Sequence, residues 1–242
     1  MRKYLTVAVA AFTVLAMAAV AVAQTQYPAP DPSSNVTVSP KKAGTKKKPK
    51  KVGLGLLIEN NVESKTTASH IQIDLPRTLR IGAARGLAKC SESAMETAQS
   101  TEPCPAKSLV GDGVAHAILG PYTDNPSELT LDVTAVNGGP KRVFFFVQVR
   151  DTSVVGLLDG KITRRGRRLT MSIPESLKKP DGFTYSALVD IDVDITRKSG
   201  VVRSTGCKAR KHRVKTTLRF EANPTPPPSS TASTTDAVAC SK

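Results

Sequence analysis

Four cysteines, Cys90, Cys104, Cys207 and Cys240, and a run of alternating carboxylates, Asp190, Asp192 and Asp194, are the residues of this 242-residue chain whose types and spacing are best suited to chemistry. The cysteines allow three pairings, and in an exporting context the local ones are favoured. Cys90 with Cys104 would close the polar loop Ser91 to Pro103, and Cys207 with Cys240 would tie the last residues back to the body. Each loop would contribute about 3 kcal/mol by restricting the unfolded chain. Zinc is the competing use of thiols. The spacings are not those of zinc-binding Cys pairs, and His70, His116 and His212 stand apart from one another, so no metal site and no cofactor is expected.

In a strand, Asp190, Asp192 and Asp194 point to one face at intervals of about 6.6 Å. Three clustered carboxylates suit calcium. Arg213, Lys215 and Arg219, alternating in the next apolar run, offer cations to a matching face, and a charged outer ladder accounts for both patterns without a metal. No Gly-x-Ser-x-Gly, His-Glu-x-x-His or Cys nucleophile in a recognisable setting is present. Catalytic residues are therefore assigned to none. The alternative is a secreted, glycosidase-like hydrolase using paired carboxylates, which meet only in space. With no Trp, four Tyr and six Phe, the chain lacks the flat aromatic platform of sugar-binding or single-strand-binding modules. Phe144, Phe145 and Phe146 read as a strand with core-facing rings.

Cations are the stronger signal. The formal net charge is +15, from 35 Lys and Arg against 20 Asp and Glu. The stretch from Lys41 to Lys51 holds seven lysines in eleven positions: Lys41, Lys42, Lys46, Lys47, Lys48, Lys50 and Lys51. A second cluster, Arg164, Arg165, Arg167 and Arg168, marks the tip of a hairpin, and a third runs from Lys208 to Arg213. Such clusters suit anionic cell-envelope polymers, held by charge and without specific nucleic-acid readout. In His212 the flanking cations are expected to depress the imidazole pKa.

The elements that must position these residues begin after the first 23. Met1 to Tyr4 carry two positive charges, Leu5 to Val20 are almost wholly apolar, and Ala21-Val22-Ala23 closes the run in the manner of a secretory signal peptide. Export would start the mature chain near Gln24, lower Lys and Arg to 33, leave a net charge of +13 and permit disulfides. No apolar segment remains to span a membrane after cleavage. Residues 24–51, rich in Pro, Ser, Thr and Lys, read as a disordered linker. From residue 52 to 222 short apolar or alternating runs are separated by Gly, Pro, Asn and Asp. They predict strands near 52–58, 69–75, 113–119, 128–136, 142–149, 154–159, 168–173, 183–195 and 213–222, with a tight turn at Asn137-Gly138. Ser91 to Ser100 forms either a short helix or a stapled loop. The fold class is all-β, an antiparallel β-sandwich of immunoglobulin-like or jelly-roll-like type. Residues 223–242 form a Pro/Ser/Thr-rich tail tied back by Cys240.

Local motifs spread along nearly the whole mature chain add a resemblance. Ser39-Pro40, Ala43-Gly44-Thr45-Lys46-Lys47-Lys48-Pro49, Cys104-Pro105 with Ser108 and Val110-Gly111, Asn137-Gly138, Ile173-Pro174, Thr205-Gly206-Cys207 and Asn223-Pro224-Thr225 resemble, in this order, a family of secreted proteins of unknown function from high-GC Gram-positive bacteria. The resemblance implies one exported, disulfide-bearing β domain and brings no catalytic or binding residues with it. The expectation is a secreted or envelope-associated, non-catalytic β domain with a binding or structural role. Its oligomeric state is not legible.

Overall fold

A computed structural model describes residues 28–82, 86–221 and 230–242. The signal-peptide stretch 1–23 and the Asn223-Pro224-Thr225 motif lie outside them. Described strands run antiparallel and form two sheets. The strands, in chain order, are β1 (Ser33–Ser39), β2 (Lys50–Lys51), β3 (Gly53–Glu59), β4 (Thr67–Asp74), β5 (Leu79–Ile81), β6 (Leu109–Leu119), β7 (Ser127–Gly139), β8 (Arg142–Val149), β9 (Val155–Thr163), β10 (Arg168–Ser172), β11 (Ser186–Ile195), β12 (Val202–Ser204), β13 (Lys211–Glu221) and β14 (Ser230–Ala239). Two short helices, α1 (Glu92–Ala98) and α2 (Glu175–Lys178), lie in connections.

Eleven strands share one sheet in the order β1-β3-β11-β6-β7-β8-β9-β10-β4-β13-β14. The two edge strands, β1 and β14, come alongside each other. Ser34 Oγ donates to the Asp236 carboxylate across the seam. Beyond it the chain continues in a parallel bridge between Lys42 and Ser241, with Ala43 N donating to Ser241 O at 2.8 Å and Ser241 N to Lys41 O at 2.9 Å. Where the sequence led to a sandwich of two facing sheets, the strands instead join in one sheet curled into a nearly closed barrel. Closure shields the edges that an open sheet would expose.

Residues 24–51, read from composition as a disordered linker, contribute β1 and β2. Val36 and Val38 of β1 are buried against the core, so few apolar side chains suffice when a neighbouring strand supplies the backbone partners. The tail likewise contributes β14, which pairs with β13 along ten residues. Its Ala232 and Val238 pack on the core, while Thr231, Ser233 and Thr235 are exposed on the other face.

Binary alternation explains the barrel wall. Along β13, His212, Val214, Thr216, Leu218 and Phe220 are buried and Lys211, Arg213, Lys215 and Arg219 exposed, the period-2 pattern of a strand with one wet face. β8 is buried on both faces. Phe145 points into the barrel, whereas Phe144 and Phe146 join Met95, Val136, Cys90 and Cys104 in a second apolar cluster outside it. This cluster is roofed by α1, whose N-cap Ser91 accepts from Ala94 N at 3.2 Å. Disulfides join Cys90 to Cys104 and Cys207 to Cys240.

Asn137-Gly138 does not form the expected turn. Both lie in β7 at a register shift against β8, and Asn137, fully buried, donates from Nδ2 to Ala88 O at 2.6 Å while its Oδ1 accepts from Gly139 N. The step serves as a bulge that stitches the Cys90 loop to the wall, and the chain reverses after Gly139, at Pro140-Lys141.

Candidate functional site

Strand polarity sorts the barrel's two ends. β3, β8 and β10 enter, and β4, β7, β9 and β11 leave, at the same end. That end also receives the Lys41–Lys51 segment, the β9–β10 hairpin tip and the start of β13. All three basic clusters of the sequence therefore meet at one end of the barrel.

The end is closed by the second sheet, of order β2-β12-β5. Its inner side, Leu79, Ile81 and Val202, is buried in the main core. On its outer side Arg203 stands directly opposite Lys51 on one flank and Arg80 on the other. Like charges facing each other across a ladder are destabilising. Among the described residues none of the three has an ion-pair partner; Arg203 Nε instead donates to Gly200 O at 3.2 Å. Lys51 lies over Gly200, where a Cβ would come within 2.8 Å of the lysine Cε.

The row is extended on both flanks. Ile81 N donates to Gly166 O at 2.7 Å, so the β9–β10 tip docks against β5. Arg164, Arg165 and Gly166 all have positive φ, of 51°, 59° and 82°, which folds the tip tightly and leaves Arg164 and Arg165 exposed. Opposite, the lysine run makes a turn in which Thr45 N donates to Lys48 O at 2.9 Å and Lys48 N to Thr45 Oγ1 at 3.0 Å. Lys41, Lys42, Lys46, Lys47 and Lys48 are exposed on this ordered backbone, and Lys50 is half-buried in β2.

Two members of the arginine cluster are partly neutralised. Arg168 donates to both Asp74 oxygens, at 2.7 and 3.0 Å, and Arg164 lies 4.0 Å from the same carboxylate. Burial opposes ionisation of Asp74, but Arg168, Gln72 and Arg164 together hold its carboxyl below the usual range. Arg168 is thus a structural partner of Asp74. Arg167 turns back to donate from Nε to Arg164 O at 3.2 Å.

The charged ladder between Asp190–Asp194 and Arg213–Arg219 does not form. β11 lies between β3 and β6, whereas β13 lies between β4 and β14, because chain order does not dictate spatial order in a sheet. Asp190 instead accepts from His116 Nδ1 at 2.9 Å, and Asp194 stands opposite Asp112 of β6. These carboxylates stand on the outer wall of the barrel. Among the described residues no group of three or more His, Cys, Asp and Glu is placed to hold a metal ion.

His212 is 1% exposed and its Nδ1 lies 2.9 Å from Thr78 Oγ1. Its pKa is lowered, and the cause is burial; strand alternation turns Lys211 and Arg213 to the opposite face, so the expected effect of flanking cations is not the operative one. No helix among the described residues is long and apolar enough to cross a membrane. Comparison with protein-family models, with curated proteins and with solved structures finds no match to this chain.

Proposed function

We propose that this protein is an exported, non-catalytic β domain that attaches to anionic cell-envelope polymers through the basic end of its barrel. The observation that carries the reading is the outward row Lys51–Arg203–Arg80, three cations set face to face with no acidic partner among the described residues. Folding alone does not favour such a row, whereas a ligand carrying phosphate or carboxylate groups at strand spacing would turn its repulsion into attraction. Lys46, Lys47, Lys48 and Arg165 widen the footprint, and the two disulfides suit an oxidising, extracellular compartment.

The test is binding of long-chain polyphosphate and of polygalacturonate over a range of salt. Each cation that neutralises a phosphate releases a counterion, giving a logarithmic slope of about 0.9 per contact on duplex DNA and less on sparser polymers. Replacing Lys51, Arg80 and Arg203 together by Gln is expected to weaken binding at low salt by at least tenfold and to flatten the slope. Unchanged affinity and slope in the triple variant would reject the site.

A further inference from the structure

The wall strands point apolar side chains inward, yet they do not fill the barrel. A cavity of about 120 Å³ remains in the lumen. Leu56, Ile71, Ala115, Ala117, Val133 and Phe145 are among its lining residues. Ala115 and Ala117 are successive inward positions of β6, both buried, and they leave the room that larger side chains would occupy. Polar groups enter the lining at one end only, the end away from the basic face, as Thr67, Lys178 and Ser186. Thr67 Oγ1 donates to Ser186 O at 2.7 Å and Ser186 Oγ to Leu177 O at 2.8 Å, so both hydroxyl protons are already used. An apolar cavity of about 150 Å³ stays dry and accepts a molecule of benzene's size. This lumen has the same character and nearly the same capacity.

Its polar end has a short cover and a cation. α2 is a four-residue helix that plugs the barrel with Leu177, seated on Gly156, where a Cβ would lie 2.4 Å from the leucine Cγ. Lys178 is nearly enclosed, its side chain 12% exposed, and donates to Glu221 at 2.8 and 3.0 Å and to Glu175 at 2.7 Å. The two acceptors differ. Glu175 is 61% exposed, sits on the plug and has a second cation, Lys179, at 3.4 Å, so it keeps a partner when it gives up Lys178; Glu221 is 35% exposed and anchored in β13. In the loop that follows α2, Phe183 is 89% exposed, an apolar surface beside the same opening.

We propose that the lumen binds a short, unbranched alkyl chain of about six carbons carrying an anionic head, a size set by the benzene-scale capacity. The hydrocarbon lies against Ala115, Ala117 and Phe145. The head takes the position of the Glu175 carboxylate on Lys178, leaving Glu221 in place. Entry requires α2 to lift, which withdraws Leu177 from Gly156. The site is at the opposite end from the polymer-binding face and does not depend on it.

Hexanoate and 1-hexanol, titrated into the whole protein and followed by methyl resonances and calorimetry, test the proposal. Saturable shifts of the lumen methyl groups of Ile71 and Val133 are expected with both. Ala117→Leu fills the space and is expected to weaken both ligands at least tenfold, with Ala115→Val as the milder variant should the larger side chain disturb folding. Lys178→Met is expected to weaken hexanoate about fivefold and to leave hexanol unchanged. Absence of saturable shifts, or wild-type binding by both filled variants, overturns the lumen site; equal loss of both ligands in Lys178→Met overturns the head contact. Polyphosphate binding by the Ala117→Leu protein should equal that of the wild type, so failure here is distinguishable from failure of the basic face.

Discussion

At the scale of single residues, burial sets the consequences. His212 has a folded pKa below its ordinary 6.5 because it is enclosed, while the unfolded chain would titrate near that ordinary value. The unfolded state therefore binds a proton that the folded state resists, and stability falls as the pH drops below about 6.5. Denaturant unfolding between pH 8 and 5 should show this loss, and a His212→Gln variant should show a flatter profile over the same range. Asp74 has the depressed carboxylate pKa of an ion-paired group, so its contribution is present above its unfolded value and is lost only on stronger acidification. Gly156 is a second residue with a local cost attached. Because a Cβ there would meet Leu177 Cγ at 2.4 Å and Cδ1 at 2.6 Å, Gly156→Ala should displace α2 and destabilise the protein by about 1–3 kcal/mol, the usual penalty of overpacking. Thermal unfolding measures it.

Among the elements, the closing strands depend most on contacts distant in sequence. β14 carries no large apolar residue beyond Val238, and β1 buries only Val36 and Val38, so neither packs strongly by itself. The Cys207–Cys240 bond, spanning 33 residues, keeps β14 against β13 and hence beside β1. Chain-entropy reasoning gives about 3–4 kcal/mol for such a loop. A Cys207→Ser/Cys240→Ser variant is therefore expected to lose stability of that order. Amide exchange should accelerate first in β14 and β1, while β6 to β8 at the centre of the sheet stay protected. Uniform acceleration across all strands would mean that the seam is not a separate unit. The Cys90–Cys104 bond plays a more local part, holding α1 over Phe144 and Phe146.

For the whole molecule, charge is distributed by end and by side. Lys41–Lys51, Arg164–Arg167 and Lys208–Arg213 collect at one end, while Asp112, Asp190, Asp192 and Asp194 share the wall formed by β11 and β6. Such polarity should orient the protein on an anionic surface, basic end inward. Exchanging the seven lysines between Lys41 and Lys51 for Gln should leave the melting temperature within a few degrees, because their side chains are mostly exposed and the packing there is made by backbone. Polymer binding by that variant should show a shallower salt dependence. A collapse of stability would mean that the lysine side chains hold the small sheet together.

Much of this organisation is legible in the sequence where the signal is local. Alternation in runs such as Lys211 to Phe220 marks a strand with one wet face whatever its neighbours are, and nine expected strands correspond to β3, β4, β6 to β11 and β13. Cysteine spacing favours short loops for the same reason, since nearby residues meet at low entropic cost. What needed the tertiary structure is every relation between distant segments. Ser33–Ser39 and Ser230–Ala239 look like polar leader and tail because their partners lie across a barrel seam that no local pattern announces. The β11 carboxylates and β13 cations appear matched in sequence yet stand apart, since strand order is set by long-range pairing. The candidate basic row, Lys51–Arg203–Arg80, joins residues more than a hundred positions apart, and the lumen exists only because the small side chains of β6 face a wall made by the rest of the sheet. Periodicity decides which face of a strand is wet; closure of the sheet decides what that face meets.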